Sequence, residues 1–170
     1  EKYSSKIRAI IDYIDRCEGI VYVFSQFIQT GILLLALALE QHGYQRSGGE
    51  PLLDYSNKSK TKRGRYIFIS GSDELSPDKQ SDIERANHPN NKNGEMIKVI
   101  LGSPIAGEGL DFRYVREVHL LEPWFHMNRV EQVIGRGIRN HSHAILPMEK
   151  RNVTVYLHAS IHSETRESID

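Results

Sequence analysis

The residues best suited to chemistry lie in the stretch 130–139, VEQVIGRGIR. A helical period of 3.6 residues places Gln132, Arg136 and Arg139 on one face. The opposite face carries the apolar residues Val130, Val133, Ile134 and Ile138, which predict a helix anchored to a core. Planar, permanently charged guanidinium groups can each contact two phosphate oxygens. Taken alone, however, such a face is more commonly a solvated polar surface.

A second stretch with chemical potential is GSPIAGEGLDF, residues 102–112, which directly follows a predicted strand. Gly107 and Gly109 permit a tight loop and a close approach of backbone amides to a ligand. Asp111 stands at the end of this loop, where its carboxylate could accept hydrogen bonds from ribose hydroxyls. Glycine-rich turns with an aspartate are common, so a purely structural turn is an equal alternative.

Alternating strands and helices must position these two stretches. A first helix, which Ser4 or Ser5 can cap, has Ile7, Ile10, Ile11 and Ile14 at helical spacing and ends near Gly19. A second helix over 30–42 is apolar nearly all round, which predicts deep burial. A third helix is predicted to start at Ser76-Pro77-Asp78, with proline in its first position. The predicted strands are 20–24, 66–69, 97–101, 118–121 and 153–157. This order predicts an α/β fold with a parallel sheet covered by helices on both faces.

Polar loops follow three of the predicted strands. They contain Ser25-Gln26, Ser70-Gly71-Ser72 and Ser103–Asp111. Ligands of open parallel sheets bind beyond the carboxyl ends of the strands. We therefore expect these loops to gather at one ligand-binding edge.

The composition is that of an ordinary globular chain, with 22 basic and 22 acidic residues among 170. The resulting net charge of zero does not indicate a nucleic-acid partner, although it is compatible with a local basic surface. One cysteine excludes a disulfide framework and favours an intracellular compartment. The apolar run at 31–39 is shorter than the roughly 20 residues of a membrane span, so no membrane partner is expected. The abrupt opening EKYSSK suggests a fragment of a longer protein.

One polar segment, residues 45–65, stands outside the alternating pattern. It carries the basic side chains Lys58, Lys60, Lys62, Arg63 and Arg65. We expect a mobile solvated insertion, or else a functional segment that contacts the backbone of nucleic acid.

The order of these motifs resembles the C-terminal RecA-like lobe of superfamily 2 helicases and translocases. AGEGLDF (106–112) is similar to motif V of that family, QVIGRGIR (132–139) matches motif VI, and VYVFSQF (21–27) is similar to motif IV. The resemblance extends from Ile20 to about Leu157 and omits the segment 45–65. It is strongest with helicase-like ATPases of large cytoplasmic DNA viruses, namely the early-transcription-factor and nucleoside triphosphatase subunits of poxviruses and their asfarvirus-like relatives.

The resemblance implies roles for individual residues. Arg139 would be an arginine finger, Arg136 would contact the γ-phosphate or support Arg139, and Gln132 would orient the site. The ribose of ATP, bound with Mg²⁺, would meet Asp111 and the glycines Gly107 and Gly109. Nucleic acid, either DNA or RNA, would contact Ser25, Gln26, Gly71 and Ser103.

The sequence contains no Gly-x-x-x-x-Gly-Lys-[Ser/Thr]. The resemblance assigns the phosphate cradle and the magnesium ligands to an N-terminal RecA-like lobe that this chain lacks, so the isolated chain is predicted to be inactive. It also implies a place in viral transcription or replication, in a cytoplasmic viral factory or the virion. The alternatives are a non-catalytic scaffold module and a remodeller-like translocase on double strands that does not unwind them.

The remaining aromatic and imidazole side chains carry weaker signals. Trp124 and Phe125 could stack on bases, but packing in the core or between lobes is the better interpretation because they follow a buried strand. The histidines show no metal-ligand spacing with acidic or cysteine partners, and we interpret His119, His126, His141 and His143 as structural or surface residues.

Overall fold

The computed structural model describes residues 4–54, 62–104, 111–122, 127–137 and 142–160. Its helices are α1 (Ser5–Arg16), α2 (Leu33–Gln41), α3 (Lys79–Asn87) and α4 (Met127–Gly137). Its strands are β1 (Ile20–Phe24), β2 (Tyr44–Arg46), β3 (Gly64–Ile69), β4 (Val99–Gly102), β5 (Val115–Leu120) and β6 (Thr154–Leu157). A short π-helical turn, Ile28–Ile32, precedes α2, and 3₁₀ turns occupy Pro89–Asn91 and Met148–Lys150.

The six strands form one parallel sheet in the order β2-β3-β4-β1-β5-β6. β1 lies in the interior of the sheet, and all five of its residues are buried, as its continuous hydrophobic sequence predicts. Val21 is in register with Val99 of β4 and with Glu117 of β5. The predicted parallel sheet is therefore confirmed.

Alternate strand residues face two separate layers of helix. One hydrophobic core packs Tyr22 and Ile100 with Ile83 of α3 and Val130 of α4. The other core packs residues of the opposite strand faces, such as Val23, against α1 and α2. The result is a three-layer α/β/α arrangement, which confirms the predicted fold class.

Helix α1 begins where the sequence predicts, because Ser4 Oγ accepts a hydrogen bond from the backbone N–H of Ile7 (3.2 Å). A hydroxyl at this position satisfies one of the backbone donors that a helix start leaves unpaired. The buried residues Ile10, Ile11 and Ile14 lie on one side of the helix. The predicted capping and helical period are both confirmed here.

Two helix predictions are wrong in detail. Helix α2 is not buried all round, because Leu34 is 44% exposed while Leu35 and Leu39 are buried. Helix α3 begins at Lys79 rather than at Ser76. The Ser76 hydroxyl instead donates to the carbonyl of Phe68 (2.9 Å) and accepts from the N–H of Ser70 (3.0 Å), so it fastens the end of β3.

The polar segment 45–65 is anchored to the fold at both of its ends. Its first residues continue strand β2, whose Tyr44 is in register with Gly64 of β3. The carboxylate of Glu40, in α2, accepts hydrogen bonds from the N–H groups of Leu52 (3.0 Å) and Leu53 (2.8 Å). Residues 45–46 and 64–65 therefore belong to strands and not to the predicted insertion. Residues 47–54 have no regular secondary structure, and 55–61 lies outside the described residues.

Candidate functional site

The carboxyl edge of the sheet brings together the loops that follow β1, β3 and β4. The N–H of Ser25 donates to the carbonyl of Gly102 (3.1 Å), and the N–H of Ser103 donates to that of Ile69 (3.2 Å). These bonds continue the strand ladder by one residue, so the loops leave the sheet side by side. The predicted juxtaposition of Ser25 and Ser103 is confirmed.

The hydroxyl of Ser25 is turned inwards and is fully buried. Ser25 Oγ donates to the carboxylate of Glu122 (2.9 Å), which also accepts from the N–H of Gln26 (3.3 Å). A Cβ added to Gly31 would overlap Ser25 Oγ, so this glycine makes room for the arrangement. The polar atom of the Ser25 side chain is therefore already engaged inside the protein, which weakens the prediction that this side chain contacts a phosphate.

Ser103 is also buried, with 2% of its surface exposed, and its Oγ has no hydrogen-bond partner among the described residues. Buried hydroxyls normally have such a partner.

Gln26, which lies beside Ser103 at the carboxyl edge, is partly exposed and is followed by the half-exposed Phe27. Of the predicted nucleic-acid contacts near β1, Gln26 is thus the one that presents its side chain towards solvent.

Gly71 is exposed and lines a cleft of about 730 Å³ beyond the end of β3. The charged side chains of this cleft are mostly acidic: Asp73, Asp78 and Glu84, with Lys79. Carboxylates repel phosphate groups, which weakens the prediction that Gly71 binds nucleic acid through its backbone.

Asp111 lies away from the carboxyl edge of the sheet, which corrects the predicted position of this residue. The connection from β4 to β5, residues 103–114, starts at the carboxyl edge and must return to the amino edge, where Val115 begins β5 in register with Ile20. At that return Asn87, the last residue of α3, bridges the backbone by donating to the carbonyl of Asp111 (2.9 Å) and accepting from the N–H of Arg113 (2.8 Å). Asn87 was not identified from the sequence, where nothing distinguishes it from a polar helix end.

Helix α4 exposes Gln132, the first residue of the predicted polar face. Val130 and Val133 are buried at 3% and 4% exposure, whereas Gln132 is exposed. The backbone of Arg136 lies in the last turn of this helix. The face predicted for Gln132 is confirmed, while Arg139, Gly107 and Gly109 lie outside the described residues.

The described part of the basic cluster is at the opposite edge from Ser103. Arg63, just before β3, forms an ion pair with Asp15 of α1 (2.6 Å). Burial raises the pKa of Asp15, but hydrogen bonds from Tyr44 and His42 and the charge of Arg63 outweigh it and leave the pKa below its usual value. Arg63 therefore has a structural partner, which weakens the idea that it binds a nucleic-acid backbone.

The two described histidines of the predicted set lie inside the fold, as the structural interpretation expects. His119 of β5 is fully buried and its Nδ1 lies 2.8 Å from Nε2 of His158. Burial and the neighbouring His119 lower the pKa of His158 to about 4. Within the described ranges, no group of three or more His, Cys, Asp or Glu side chains is arranged to hold a metal ion. His126, His141, Trp124 and Phe125 lie outside the described residues.

Comparison with protein families matches residues 5–141 to the helicase conserved C-terminal domain. A protein of Acanthamoeba polyphaga mimivirus, named as a candidate ATP-dependent RNA helicase, is 35% identical over 99% of this chain and 28% of its own length. A termination factor NPH-I homolog of African swine fever virus is 32% identical over 95% of this chain and 26% of its own length. The chain therefore spans about a quarter of these relatives.

Solved structures with the same fold include the C-terminal part of the Fun30 ATPase domain, with a TM-score of 0.62 and 18% identity over 91% of this chain and 41% of that chain. The second domain of the DEAD-box helicase Mss116p, bound to an RNA duplex, has a TM-score of 0.56 and 15% identity over 89% of this chain and 49% of that chain. At these identities the likeness concerns the fold alone. In the part of the chain that the structure describes, no helix is long and apolar enough to cross a membrane.

Proposed function

The chain belongs to the helicase conserved C-terminal domain family, and on that premise we propose that it is the second motor lobe of an ATP-dependent helicase or translocase of superfamily 2. The observation that carries this proposal is the division of the site between the two edges of one sheet. Ser103 lies at the carboxyl edge and Asp111 near the amino edge, at the two ends of a single connection. A lobe that couples nucleic acid to nucleotide requires two such separated contact regions.

On the nucleotide side, an arginine from this lobe acts on a triphosphate held by another lobe. We assign the finger role to Arg139, the γ-phosphate contact to Arg136 and an orienting role to Gln132. The fit rests on α4, whose buried valines hold the helix in place while Gln132 is exposed. ATP with Mg²⁺ supplies the transferable phosphoryl group and a charge that stabilises it, and its metal ligands belong to the first lobe.

The sugar of the nucleotide is assigned to Asp111, with close backbone approach at Gly107 and Gly109. Asn87 fixes the backbone on both sides of Phe112, directly after Asp111, so the Asp111 side chain belongs to a segment that is held in place. Phe112 contributes to this rigidity because its ring is buried and packs 5.4 Å from that of Tyr22.

On the nucleic-acid side, the bound strand follows a path over the ends of β1 and β4, which we call the track. Gln26 supplies a side chain, and Ser25 and Ser103 supply the loops that the backbone of the strand follows. Glu122 keeps the first of these loops in shape, and Gly71 lies at the margin of the track. Closure of the two lobes on ATP and their opening after hydrolysis would then move the protein along the strand.

The whole protein is proposed to act in viral transcription or replication, in a cytoplasmic viral factory or in the virion. The viral relatives support this placement, one of them being named as a termination factor homolog. Its partners would be DNA or RNA, the first RecA-like lobe and the viral transcription machinery.

The proposal is tested by ATP hydrolysis with and without nucleic acid. We expect stimulated turnover from the full protein and none from the isolated 170-residue chain, which has no Gly-x-x-x-x-Gly-Lys-[Ser/Thr] sequence to hold the phosphates. A full protein that binds nucleic acid but never hydrolyses ATP would support the scaffold alternative. ATP turnover by the isolated chain would refute the assignment of the phosphate-binding residues to a separate first lobe.

Replacing Asp111 by alanine in the full protein should raise KM for ATP more than it lowers kcat. A ribose contact is made equally in the ground state and the transition state, so its loss weakens binding without slowing chemistry. Steady-state kinetics check this, with Asp54→Ala as the control because Asp54 is exposed. A fall in kcat at unchanged KM would exclude the ribose assignment.

A further inference from the structure

The turn that follows α4 is fastened to the start of β5. Ser142 and His143 are both buried. The N–H of Tyr114 donates to the carbonyl of Ser142 (3.3 Å), and His143 Nε2 lies 2.6 Å from the carbonyl oxygen of Val115. We call these four residues the β5 clip. It joins the end of the 103–114 connection to the turn at 142–146, which follows α4 in the sequence.

The chemistry of the partners determines how the imidazole of His143 is used. A carbonyl oxygen can only accept, so Nε2 must carry the proton that is donated to Val115. Nδ1 of the neutral ring is then an acceptor, and it lies 2.8 Å from Ser142 Oγ, whose hydroxyl can donate to it. Both ring nitrogens are thus satisfied in a buried position, where an apolar residue of similar shape would remove the hydrogen bond to the carbonyl of Val115.

The segment held by this clip is in an unusual conformation. Tyr114 is the one non-glycine residue with a positive φ (64°) in the described part of the chain. The left-handed region is disfavoured for a residue with a Cβ, and it persists where surrounding contacts determine it. Here the contacts come from two sides, because Asn87 of α3 holds Asp111 and Arg113 while Ser142 holds Tyr114.

The turn itself is braced independently of β5. The guanidinium of Arg151 donates to the carbonyls of Ala144 (2.7 Å) and Leu146 (2.8 Å), and Leu146 is buried in the core that α4 shares with α3. The clip therefore connects two rigid parts, not two free loops.

From this geometry we infer that Ser142 and His143 are positioning residues, which hold the turn that follows α4 against the segment that contains Asp111 and Tyr114. This inference rests on the proposed function, in which Arg136, in the last turn of α4, contacts a phosphate and Asp111 contacts the ribose. Neither clip residue is assigned a contact with the nucleotide. A displacement of about 1 Å between groups that act on one substrate can cost about 10²-fold in rate, so the clip should matter for turnover as well as for stability.

The test compares two substitutions of His143 in the full protein. His143→Phe keeps a planar ring but removes both nitrogens, whereas His143→Gln keeps an amide N–H that can reach the carbonyl of Val115. We expect His143→Phe to lower nucleic-acid-stimulated kcat by about 10- to 100-fold, and His143→Gln to restore most of it. The matched control is Tyr66→Phe, which removes one buried hydrogen bond, to Glu40 (2.8 Å), on the other face of the sheet.

Amide hydrogen exchange gives a second readout that does not depend on catalysis. In His143→Phe, exchange at Tyr114 should accelerate, and it should return towards the wild-type rate in His143→Gln. If His143→Phe is folded and turns over ATP at the wild-type rate, or loses activity only in proportion to its melting temperature as Tyr66→Phe does, the positioning role is refuted. A wild-type full protein that shows no stimulated hydrolysis would refute the proposed function instead. In that case, unchanged exchange at Tyr114 in His143→Phe would still refute the positioning role of His143.

Discussion

Arg139→Ala in the full protein should lower kcat for ATP hydrolysis by about 10³- to 10⁵-fold, the range associated with loss of an arginine finger. This corresponds to roughly 4–7 kcal/mol of transition-state stabilisation at 1.36 kcal/mol per factor of ten. In Arg139→Lys, kcat should fall nearly as far, because lysine keeps the positive charge but lacks the planar guanidinium that contacts two oxygens at once. Nucleotide affinity should change much less in both variants.

Single-turnover hydrolysis, measured beside a thermal melt, separates this role from a structural one. Arg8→Ala is the matched control, since Arg8 is half-exposed on α1 and pairs with Asp12 (3.1 Å) in the manner of an ordinary surface ion pair. Such a pair contributes about 0–1 kcal/mol, so the control should leave kcat unchanged. Near-normal kcat in Arg139→Lys, or unfolding of Arg139→Ala, would show that this residue has a structural role.

Glu40→Ala should lower the free energy of unfolding by about 3–5 kcal/mol, because each of three donors that loses its acceptor costs roughly 1–3 kcal/mol. Glu40 is 1% exposed, and its carboxylate accepts from Leu52 N–H, Leu53 N–H and the hydroxyl of Tyr66. Alanine leaves these three donors without an acceptor inside the protein. Burial, and then the bond to Glu40, raise the pKa of Tyr66 well above its usual value, so its hydroxyl remains a donor at neutral pH.

Urea unfolding of the chain measures this loss. Glu50→Ala is the matched control, because its side chain is exposed and the same change there should cost less than about 0.5 kcal/mol. Tyr66→Phe, which removes one of the three donors and leaves the carboxylate in place, should fall between the two. Equal stability of Glu40→Ala and Glu50→Ala would mean that the 47–54 segment does not depend on this carboxylate.

Several features of the fold could be predicted because they depend on nearest neighbours along the chain. The strand at 20–24 is a continuous run of β-branched and aromatic residues, and its bounds are those of β1. In α4, helical spacing alone separates the buried Val130 and Val133 from the exposed Gln132. The order of motifs IV, V and VI also indicated the family, since each motif is a local combination of residue types.

Other features were missed because they depend on pairing between distant residues. Strand β2 has only three residues, YQR, and carries no hydrophobic pattern of its own. It exists because Gly64–Tyr66 lies beside it and supplies a ladder of backbone hydrogen bonds. Glu40 interrupts an apolar helix without any local reason, and its partners lie 12 to 26 residues further along the chain.

The candidate site divides in the same way. The polar residue types at the strand ends and the exposure of Gln132 on α4 follow from the sequence alone. Contacts between distant parts of the chain turn the Ser25 hydroxyl inwards to Glu122, 97 positions away, and place Asp111 at the edge opposite to Ser103. The direction of a polar side chain follows from the donors and acceptors that folding brings within about 3 Å of it, and periodicity along the chain contains no information about those partners.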